Sequence, residues 1–418
     1  MTRRSFAVLG AGMVGVCCAL ELQARGHRVT LFERGEPGGE TSSGNAGVVA
    51  RSSLVPLNHP GLWQALPSLL GNRSGALRYS PTYALRRAGR LAAFLQQARQ
   101  QPFERTTAAL DALIVHSRQR HRHWASEARV QHLWRDDGWL YLYRSQQAYE
   151  AAHRIRETWS RFGVAHDTLD AHALRSVEPG LGAAYPVAVW VRDADAASDP
   201  RRVVQAYASL FVGRGGRLLQ ASVHHLMKAS SGPGWLVQSA GRPAEPVDDV
   251  VVALGPWSPG LLADLGLSVP MLYERGYHMH YGWNGVQPLV RPVYDTGAAC
   301  VLAPMAGGLR LSTGVELNDL DAPGSLAQLD MAERAVRTCL PLGARLDTQA
   351  WKGARPTLPD SRPAIGASGR LPGLWLALGH QHIGFSTGPG TAALLGSLID
   401  GEPAPFDPEP FAPGRFKL

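Results

Sequence analysis

The sequence predicts an α/β fold that begins with a Rossmann-like unit, and three observations support this prediction. A short apolar stretch over residues 6–9 precedes glycines at the spacing G-x-G-x-x-G. A helical pattern then continues without a break to Arg25. After Gly26, residues 27–32 alternate like a strand, and Glu33 follows them. A strand, a glycine turn, a helix and a second strand in this order form a dinucleotide-binding βαβ unit.

The glycines of the turn have separate physical roles. Gly10 permits the tight turn, Gly12 lets the backbone approach a pyrophosphate, and Gly15 lets the helix pack closely on the sheet. The helix amino terminus offers N–H groups and a partial positive charge to the phosphates. Glu33 is placed to accept hydrogen bonds from both ribose hydroxyls. The cofactor contacts predicted in this unit are Gly10, Gly12, Met13, Val14, Gly15, Glu33 and Arg34.

The same amino terminus also has the pattern of an export signal. Arg3 and Arg4 precede an apolar stretch and small residues near Ala19, which is the arrangement of a twin-arginine leader. The strand pattern that follows and its terminal Glu33 favour the nucleotide site, because they supply the context that the glycine motif requires. An intact amino terminus in the mature protein is the corresponding expectation.

The composition is that of a globular protein with two or three domains. The chain has 418 residues, 45% of them hydrophobic, and one domain usually takes about 100–200 residues. The net charge of +8 comes almost wholly from arginines that are spread along the chain, which argues against nucleic-acid binding. The four cysteines show no metal spacing and no disulfide framework, so a cytoplasmic protein without a metal is expected. No stretch has the roughly 18 apolar residues of a membrane-spanning helix.

The loop after Glu33 favours FAD over NAD. Residues 38–47 are rich in glycine, serine and asparagine, where an NAD-binding domain would return to helix. Such a loop offers N–H groups and hydroxyls to a second length of cofactor. The contacts predicted in it are Ser42, Ser43, Asn45, Ala46 and Gly47. A plain NAD-dependent dehydrogenase is the least supported alternative.

Two later strand and turn patterns complete the predicted cofactor site. Residues 248–254 have the pattern of a buried strand closed by a glycine turn, and residues 374–378 have the same pattern. The second turn leads into an apolar helix that reaches Leu398. A helix amino terminus there suits the electron-rich pyrimidine edge of a reduced flavin. The contacts predicted in these parts are Gly255, Trp257, Gly379, His380, Ile383, Gly384, Phe385 and Ser386. Val223 is predicted as a further cofactor contact.

Six segments follow one another in a recognisable order, and they are residues 10–33, 42–47, 199–200, 253–258, 352–360 and 379–380. In the order of these motifs the sequence resembles the FAD-dependent D-amino-acid dehydrogenases and oxidases. The resemblance covers nearly the whole sequence, and the type most similar is the bacterial D-amino-acid dehydrogenase small subunit, a relative of glycine oxidase. This resemblance implies a Rossmann-like FAD-binding domain of the D-amino-acid oxidase and glutathione-reductase type, interleaved with an α+β substrate domain.

The implied domains are discontinuous. The FAD-binding domain takes residues 1–55, 196–262 and 345–418, and the substrate domain takes residues 56–195 and 263–344. Within the substrate domain, residues 83–160 show helical periodicity. Residues 138–143, 277–281 and 309–313 have the patterns of strands.

Arg355 is the predicted anchor of a substrate carboxylate. Its guanidinium fork matches a carboxylate bidentately, and it lies in the segment 352–356, where the resemblance places the carboxylate-binding arginine. In a related branch a cysteine near the position of Gly353 bonds the flavin covalently. This neighbourhood contains no cysteine, so non-covalent FAD is expected.

Tyr277 and His380 are the other predicted catalytic residues. Tyr277 lies in a segment that resembles the family strand above the substrate, although Arg275 precedes its glycine where the family more often has lysine. The alternative for Tyr277 is a place in the core. His380 and His382 lie at the turn expected beside the flavin ring. We predict His380 to be a flavin neighbour, and neither histidine to be an obligatory base.

A helix predicted over residues 83–100 has leucines on one side and most of its arginines elsewhere. It is predicted to face the core of the substrate domain. The alternative is a helix that rests on the inner face of the cytoplasmic membrane, close to a quinone.

The predicted activity is oxidation of the Cα–N bond of a D-amino acid, the D-proline and D-hydroxyproline types included, by hydride transfer to flavin N5. The imino acid then hydrolyses to a 2-oxo acid, and the electrons pass to a quinone or another acceptor. Two alternatives stay open. One is an oxygen-using amine oxidase of the glycine or sarcosine type, and the other is a flavin subunit of an opine or amine dehydrogenase complex.

Overall fold

The computed structural model describes residues 3–182, 184–229 and 232–418. In these residues the strands are β1 (Ser5–Leu9), β2 (Arg28–Glu33), β3 (Val48–Ala50), β4 (Leu77–Tyr79), β5 (Trp134–Arg135), β6 (Trp139–Tyr143), β7 (His166–Asp170), β8 (Val187–Val191), β9 (Ala194–Ala197), β10 (Arg217–Gln220), β11 (Val223–Lys228), β12 (Trp235–Ser239), β13 (Glu245–Val247), β14 (Asp249–Val252), β15 (Leu272–Trp283), β16 (Val293–Asp295), β17 (Cys300–Met305), β18 (Gly308–Ser312), β19 (Val315–Leu317), β20 (Leu342–Arg345), β21 (Trp351–Thr357), β22 (Ala364–Ala367) and β23 (Leu374–Leu378). The helices are α1 (Met13–Ala24), α2 (Leu62–Leu70), α3 (Pro81–Arg86), α4 (Ala88–Gln96), α5 (Gln100–Glu127), α6 (Gln146–Ala151), α7 (His153–Arg161), α8 (Ala171–Val177), α9 (Pro200–Gly213), α10 (Ser258–Ala263), α11 (Ala327–Arg337) and α12 (Gly384–Asp400).

A six-stranded sheet carries the dinucleotide-binding unit. Its order is β10-β2-β1-β14-β23-β22, with only the β22–β23 pair antiparallel. Parallel strands of this kind are covered on both faces. On one face Phe6 and Val8 pack in the same core as side chains from α1, α9 and α12. On the other face Ala7 and Leu9 pack in a core that includes the small antiparallel sheet β11-β12-β13.

The predicted βαβ unit is confirmed as β1, α1 and β2. Gly10 has a φ of +98°, which a residue with a side chain rarely adopts. A Cβ atom on Gly15 would lie 1.8 Å from the Gly10 carbonyl oxygen. These two positions therefore require glycine for the turn and for the close packing of α1 on the sheet.

A large mixed sheet forms the other part of the molecule. Its order is β4-β19-β15-β18-β17-β16-β6-β8-β7, and β20 and β21 also pair with β15. The strands predicted at residues 138–143, 277–281 and 309–313 are confirmed in β6, β15 and β18. Strand β15 is the long central member, because its 12 residues pair with β18, β19, β20 and β21.

The single helix predicted over residues 83–100 was wrong. Helix α3 begins at Pro81, after the Ser80 cap, and ends at Arg86. Arg87 has non-helical angles (φ −106°, ψ 15°), and α4 begins at Ala88. The apolar face of the predicted helix is therefore interrupted, and Leu85 is 80% exposed.

The six strands of the parallel sheet all come from the residues predicted for the FAD-binding domain. Some elements nevertheless pair or pack across the predicted boundaries. Strand β21 pairs with β15 in the large sheet, and α5 packs against α12 beside the parallel sheet. The division into two domains stays a prediction. Across the described ranges, no helix is long and apolar enough to span a bilayer.

Candidate cofactor and substrate site

A long cavity runs from the parallel sheet to the large sheet. It encloses about 1700 Å³ of space, part of it open to solvent. Residues that follow the carboxyl ends of β1, β2, β14 and β23 line it, which is where open α/β sheets bind their ligands.

Most of the predicted site residues line this one cavity. Those that do so are Gly10, Gly12, Met13, Val14, Glu33, Arg34, Ser42, Asn45, Val223, Gly255, Trp257, Tyr277, Arg355, His380, Gly384 and Phe385. The other predicted residues, Gly15, Ser43, Ala46, Gly47, Gly379, Ile383 and Ser386, do not line it. The geometry thus brings the amino-terminal turn and Arg355 to a common space, although 343 residues separate Gly12 from Arg355 in the sequence.

The glycine turn and the end of β2 fit the pyrophosphate and ribose of an adenine dinucleotide. A Cβ atom on Gly12 would meet only the Ser42 hydroxyl, at 3.4 Å, so free space adjoins the amino terminus of α1. Glu33 accepts hydrogen bonds from the backbone N–H of Ala11 (2.8 Å) and of Gly35 (3.0 Å). These bonds hold its carboxylate beside the turn. The cavity then continues past Trp257, whose ring lies 4.1 Å from the Arg34 guanidinium carbon.

Residues 41–47 form a loop that connects three parts of the site, and we call it the cofactor loop. The Ser42 hydroxyl accepts a hydrogen bond from the Met13 N–H at 3.0 Å. The Thr41 hydroxyl donates to the Ala354 carbonyl at 3.1 Å, beside Arg355. The Asn45 amide donates to the His382 carbonyl at 3.3 Å. The loop therefore touches α1, β21 and the turn after β23.

Arg355 lies on β21 directly opposite Glu274 of β15. Its guanidinium crosses β15 above Gly276, where a Cβ atom would lie 2.5 Å from Nη2. Beyond Gly276 it donates to the carbonyls of Gly314 (3.0 Å) and Thr313 (3.3 Å). Burial lowers the pKa of Arg355, and the Glu274 carboxylate opposes this. Burial raises the pKa of Glu274. The result is a positive group beside the cavity with donors directed across the strand.

Tyr277 leaves the opposite face of β15. Directly opposed residues of an antiparallel pair share a face, so Glu274, Gly276 and Arg355 lie on one side and Tyr277 on the other. The Tyr277 hydroxyl donates to Glu316. It accepts from Arg275 Nη2 at 2.7 Å and from the Ser325 N–H at 3.0 Å. Tyr277 borders the cavity, but its contact with a substrate stays a prediction.

The two histidines after β23 are neutral at ordinary pH. His380 is 4% exposed, and its Nε2 lies 2.9 Å from the Thr391 hydroxyl. Burial lowers the pKa of His380 to about 3. Burial, and secondarily the charge of Arg355, lowers the pKa of His382 to about 4. Neither ring carries the positive charge that would compete with Arg355 for a carboxylate.

The sequence prediction missed several residues that line the cavity. The main ones are Gly44, Gly276, Ser312 and Trp351. The Trp351 ring stacks on His278, with centroids 4.8 Å apart and planes at 12°. A Cβ atom on Gly44 would lie 1.9 Å from that ring. Trp351 comes directly before the Lys352-Gly353 motif. This position was a signal from which the sequence prediction could have included it.

Metal binding has no candidate position in residues 3–182, 184–229 and 232–418. No group of three or more His, Cys, Asp or Glu side chains in these ranges is arranged to hold an ion.

Comparisons with known proteins agree on the type of protein that this chain resembles. Residues 5–398 match the family model described as FAD dependent oxidoreductase. A protein of Bradyrhizobium diazoefficiens named D-amino-acid oxidase is 31% identical over 424 residues, with 99% of each chain covered. A Methylobacterium protein named D-amino acid dehydrogenase is 29% identical, with 98% of each chain covered. The solved structure of glycine oxidase from Geobacillus kaustophilus has a TM-score of 0.73 at 22% identity, over 99% of this chain and 98% of that one.

Proposed function

The chain belongs to the FAD-dependent oxidoreductase family and is an enzyme with FAD as its cofactor, and we propose that it oxidises the Cα–N bond of a D-amino acid. The observation that carries this proposal is the position of Arg355. Its guanidinium borders the same cavity as the dinucleotide-binding turn. A substrate carboxylate held there would leave Cα close to the flavin end of the cofactor.

The protein's own residues have a limited set of tasks in this reaction. FAD, when bound, supplies the acceptor for the hydride. Arg355 binds the carboxylate and orients Cα, which removes most of the freedom of the substrate before reaction. His380 and His382 stay neutral because their pKa values are about 3 and about 4. Such low pKa values make both rings weak bases, so neither histidine is given the role of general base in this proposal.

The lining near Arg355 supports a substrate with a neutral side chain. Trp351, Gly353 and Pro356, on the same strand as Arg355, line the cavity, and none of them offers a negative charge to a cationic side chain. Such a lining suits D-proline or D-hydroxyproline as well as acyclic D-amino acids. The imino acid from an acyclic substrate hydrolyses to a 2-oxo acid and ammonia, whereas D-proline gives a cyclic imine.

We propose a quinone as the electron acceptor, with the protein peripheral on the inner face of the cytoplasmic membrane. Helix α2 supports this proposal, because no residue of its apolar sequence is buried. Trp63 and Leu70 are 46% and 62% exposed. No acidic residue lies between Glu40 and Glu104 in the sequence, whereas seven arginines do. An exposed apolar helix within a basic stretch of the sequence favours binding to anionic lipids.

Sedimentation with lipid vesicles tests the membrane proposal. The protein should bind vesicles that contain anionic lipid and not purely neutral ones. Leu70→Ser and Trp63→Ser should weaken this binding. Val286→Ser removes another exposed apolar side chain, 102% exposed, and serves as the control. Equal binding by all variants would contradict a role for α2.

An anaerobic substrate screen tests the activity. D- and L-amino acids, prolines and N-methyl amino acids are each mixed with the FAD-loaded protein, and bleaching of the flavin absorbance is recorded. Bleaching by D-amino acids with neutral side chains, and not by L-enantiomers, is the expected result. Bleaching by L-enantiomers alone would contradict the proposal.

A second candidate is an oxygen-using amine oxidase of the glycine or sarcosine type, and the name of the Bradyrhizobium relative, D-amino-acid oxidase, favours oxygen as the acceptor. The yield of hydrogen peroxide in air separates this oxidase from a dehydrogenase. A third candidate, a flavin subunit of an opine or amine dehydrogenase complex, predicts partner subunits on purification and no bleaching by any amine in isolation.

A further inference from the structure

Arg310 of β18 is a buried cation whose hydrogen bonds all go to neutral acceptors. The residue is 8% exposed. Nη1 donates to the carbonyls of Ser43 (2.8 Å) and Asn45 (2.6 Å), and Nε donates to His280 Nε2 (3.1 Å). Burial lowers the pKa of Arg310 to about 10. Burying a charge in this way is costly unless its donors are well placed, so the contact with the cofactor loop needs an explanation.

His280 and Asp347 hold the third acceptor of Arg310 in place. Asp347 accepts from the His280 backbone N–H at 2.6 Å and lies 2.9 Å from His280 Nδ1. A proton on Nδ1 therefore points to the carboxylate, and the lone pair of Nε2 is left for Arg310. The series Asp347–His280–Arg310 thus connects the large sheet to the cofactor loop.

Near Gly44, the side chains of the cofactor loop bond mainly to residues close to them in the sequence. Asn45 bonds its own loop through the Gly47 N–H at 2.8 Å and reaches the His382 carbonyl at 3.3 Å. Ser43 bonds carbonyls that precede it, at Gly39 and Glu40. The Arg310 bonds fix the two carbonyls on either side of Gly44. Gly44 is the point where the loop meets the Trp351 ring.

We propose that Arg310 is a positioning residue for FAD, which fixes the loop through the carbonyls of Ser43 and Asn45. It does not line the cavity and acts on the cofactor only through the loop. In this arrangement the loop keeps Ser42 at the amino terminus of α1 and Asn45 at the turn after β23. The inference rests on the proposed place of FAD against this loop.

Titration of the apoprotein with FAD, followed by the quenching of flavin fluorescence, tests the inference without any turnover. In Arg310→Gln the Kd for FAD should rise by at least about tenfold, since two charge-assisted bonds to the loop are lost. Arg310→Lys keeps the charge and should give an intermediate Kd. Arg337→Gln is the matched control, because Arg337 also donates to two backbone carbonyls, at Leu342 and Gly343, away from the cavity.

A double-mutant cycle with Asn45→Ala gives a readout that a merely structural role would not move. If Arg310 acts through the loop, Arg310→Gln should raise the FAD Kd by a smaller factor in the Asn45→Ala background than in the wild type. The effects of the two substitutions on the FAD Kd should therefore not add. Asp347→Asn should also raise the Kd for FAD, by a smaller factor than Arg310→Gln. This second variant tests the inference if Arg310→Gln does not fold.

A Kd for Arg310→Gln within twofold of the wild-type value would overturn the inference, and so would an equal rise in Arg337→Gln or strict additivity in the cycle. Failure of the wild-type apoprotein to take up FAD is a different result. It would overturn the proposed cofactor site as well, whereas normal uptake by Arg310→Gln would leave that site intact.

Discussion

At the residue scale, the chemistry of the site depends on where charge is kept and where it is removed. Arg355 keeps a positive charge beside the cavity, with Glu274 opposite it. His380 and His382 have lost theirs through burial. One cation next to two neutral rings favours an anionic group at a single point, which is the requirement for holding an amino-acid carboxylate.

Replacement of Arg355 tests this role. In Arg355→Ala the apparent substrate constant should rise roughly 10- to 100-fold, because a charge-assisted pair contributes about 1.5–3 kcal/mol. Arg355→Lys keeps the charge without the planar fork, so its apparent substrate constant should lie between those of the wild type and Arg355→Ala. Steady-state kinetics at saturating FAD measures the effect. Lys352→Ala is the control, since Lys352 lies on the other face of β21 and is exposed. Unchanged saturation in Arg355→Ala would place the carboxylate elsewhere.

At the element scale, close approaches between backbone and side chains decide which glycines matter. Gly276 of β15 leaves room for the Arg355 guanidinium to cross the strand. Gly12 leaves room in front of α1, and Gly15 lets α1 contact the turn. These three glycines have the same chemistry but different neighbours, so their substitution should have different effects.

Gly276→Ala should displace Arg355 without changing the cofactor site. The added methyl would lie 2.5 Å from Nη2, and the guanidinium must move. We expect a rise in the apparent substrate constant and an unchanged Kd for FAD. Gly282→Ala on the same strand is the control, because its methyl would have no neighbour closer than 3.8 Å. Equal kinetics for the two variants would argue against Arg355 as the anchor.

Gly12→Ala and Gly15→Ala should separate cofactor binding from folding. The methyl at Gly12 would meet only Ser42, at 3.4 Å, so the apoprotein should keep its stability while FAD uptake is lost. The methyl at Gly15 would lie 1.8 Å from a carbonyl oxygen, and overpacking of this kind costs about 1–3 kcal/mol or more. Denaturant unfolding and FAD titration measure the two effects. Normal FAD uptake by Gly12→Ala would contradict the placement of the pyrophosphate.

At the scale of the whole molecule, two sheets with different roles meet at one cavity. The parallel sheet supplies the dinucleotide turn, and the large sheet supplies Arg355 through the β15–β21 pair. Helix α5 joins the two, because it packs on α12 and also contributes to the core beneath β6 and β8. Stability of the whole molecule and formation of the site are therefore linked.

Buried neutral histidines should make this stability fall in acid. Burial lowers the pKa of His121 to about 4 and that of His380 to about 3, below the ordinary value of about 6.5. Between about pH 6.5 and pH 4 the unfolded protein therefore binds more protons than the folded one. The free energy of unfolding should decrease as the pH falls through this window, by up to about 1.4 kcal/mol per pH unit for each histidine.

Thermal or denaturant unfolding at several pH values measures that slope. His121→Gln should make the slope smaller, because His121 is 2% exposed and no longer titrates in the variant. His123→Gln on the same helix is the control, since the His123 side chain is 67% exposed. A slope that is equal in all three proteins would show that His121 is not responsible.

The sequence by itself determined the βαβ unit with its three glycines and Glu33, the loop after β2, and the strands that end at the cavity. These features depend on local spacing and on backbone conformations that only certain residues adopt. It also identified Arg355 through a motif. Only the tertiary structure decided what lies near Arg355, since Gly276 comes from a strand that pairs with β21 at long range. It also decided the contact of Arg310 with the cofactor loop, for which the sequence carries no local signal. The break between α3 and α4 was decided in the same way. Periodicity records which residues are apolar, but packing against the rest of the molecule decides where a helix stops.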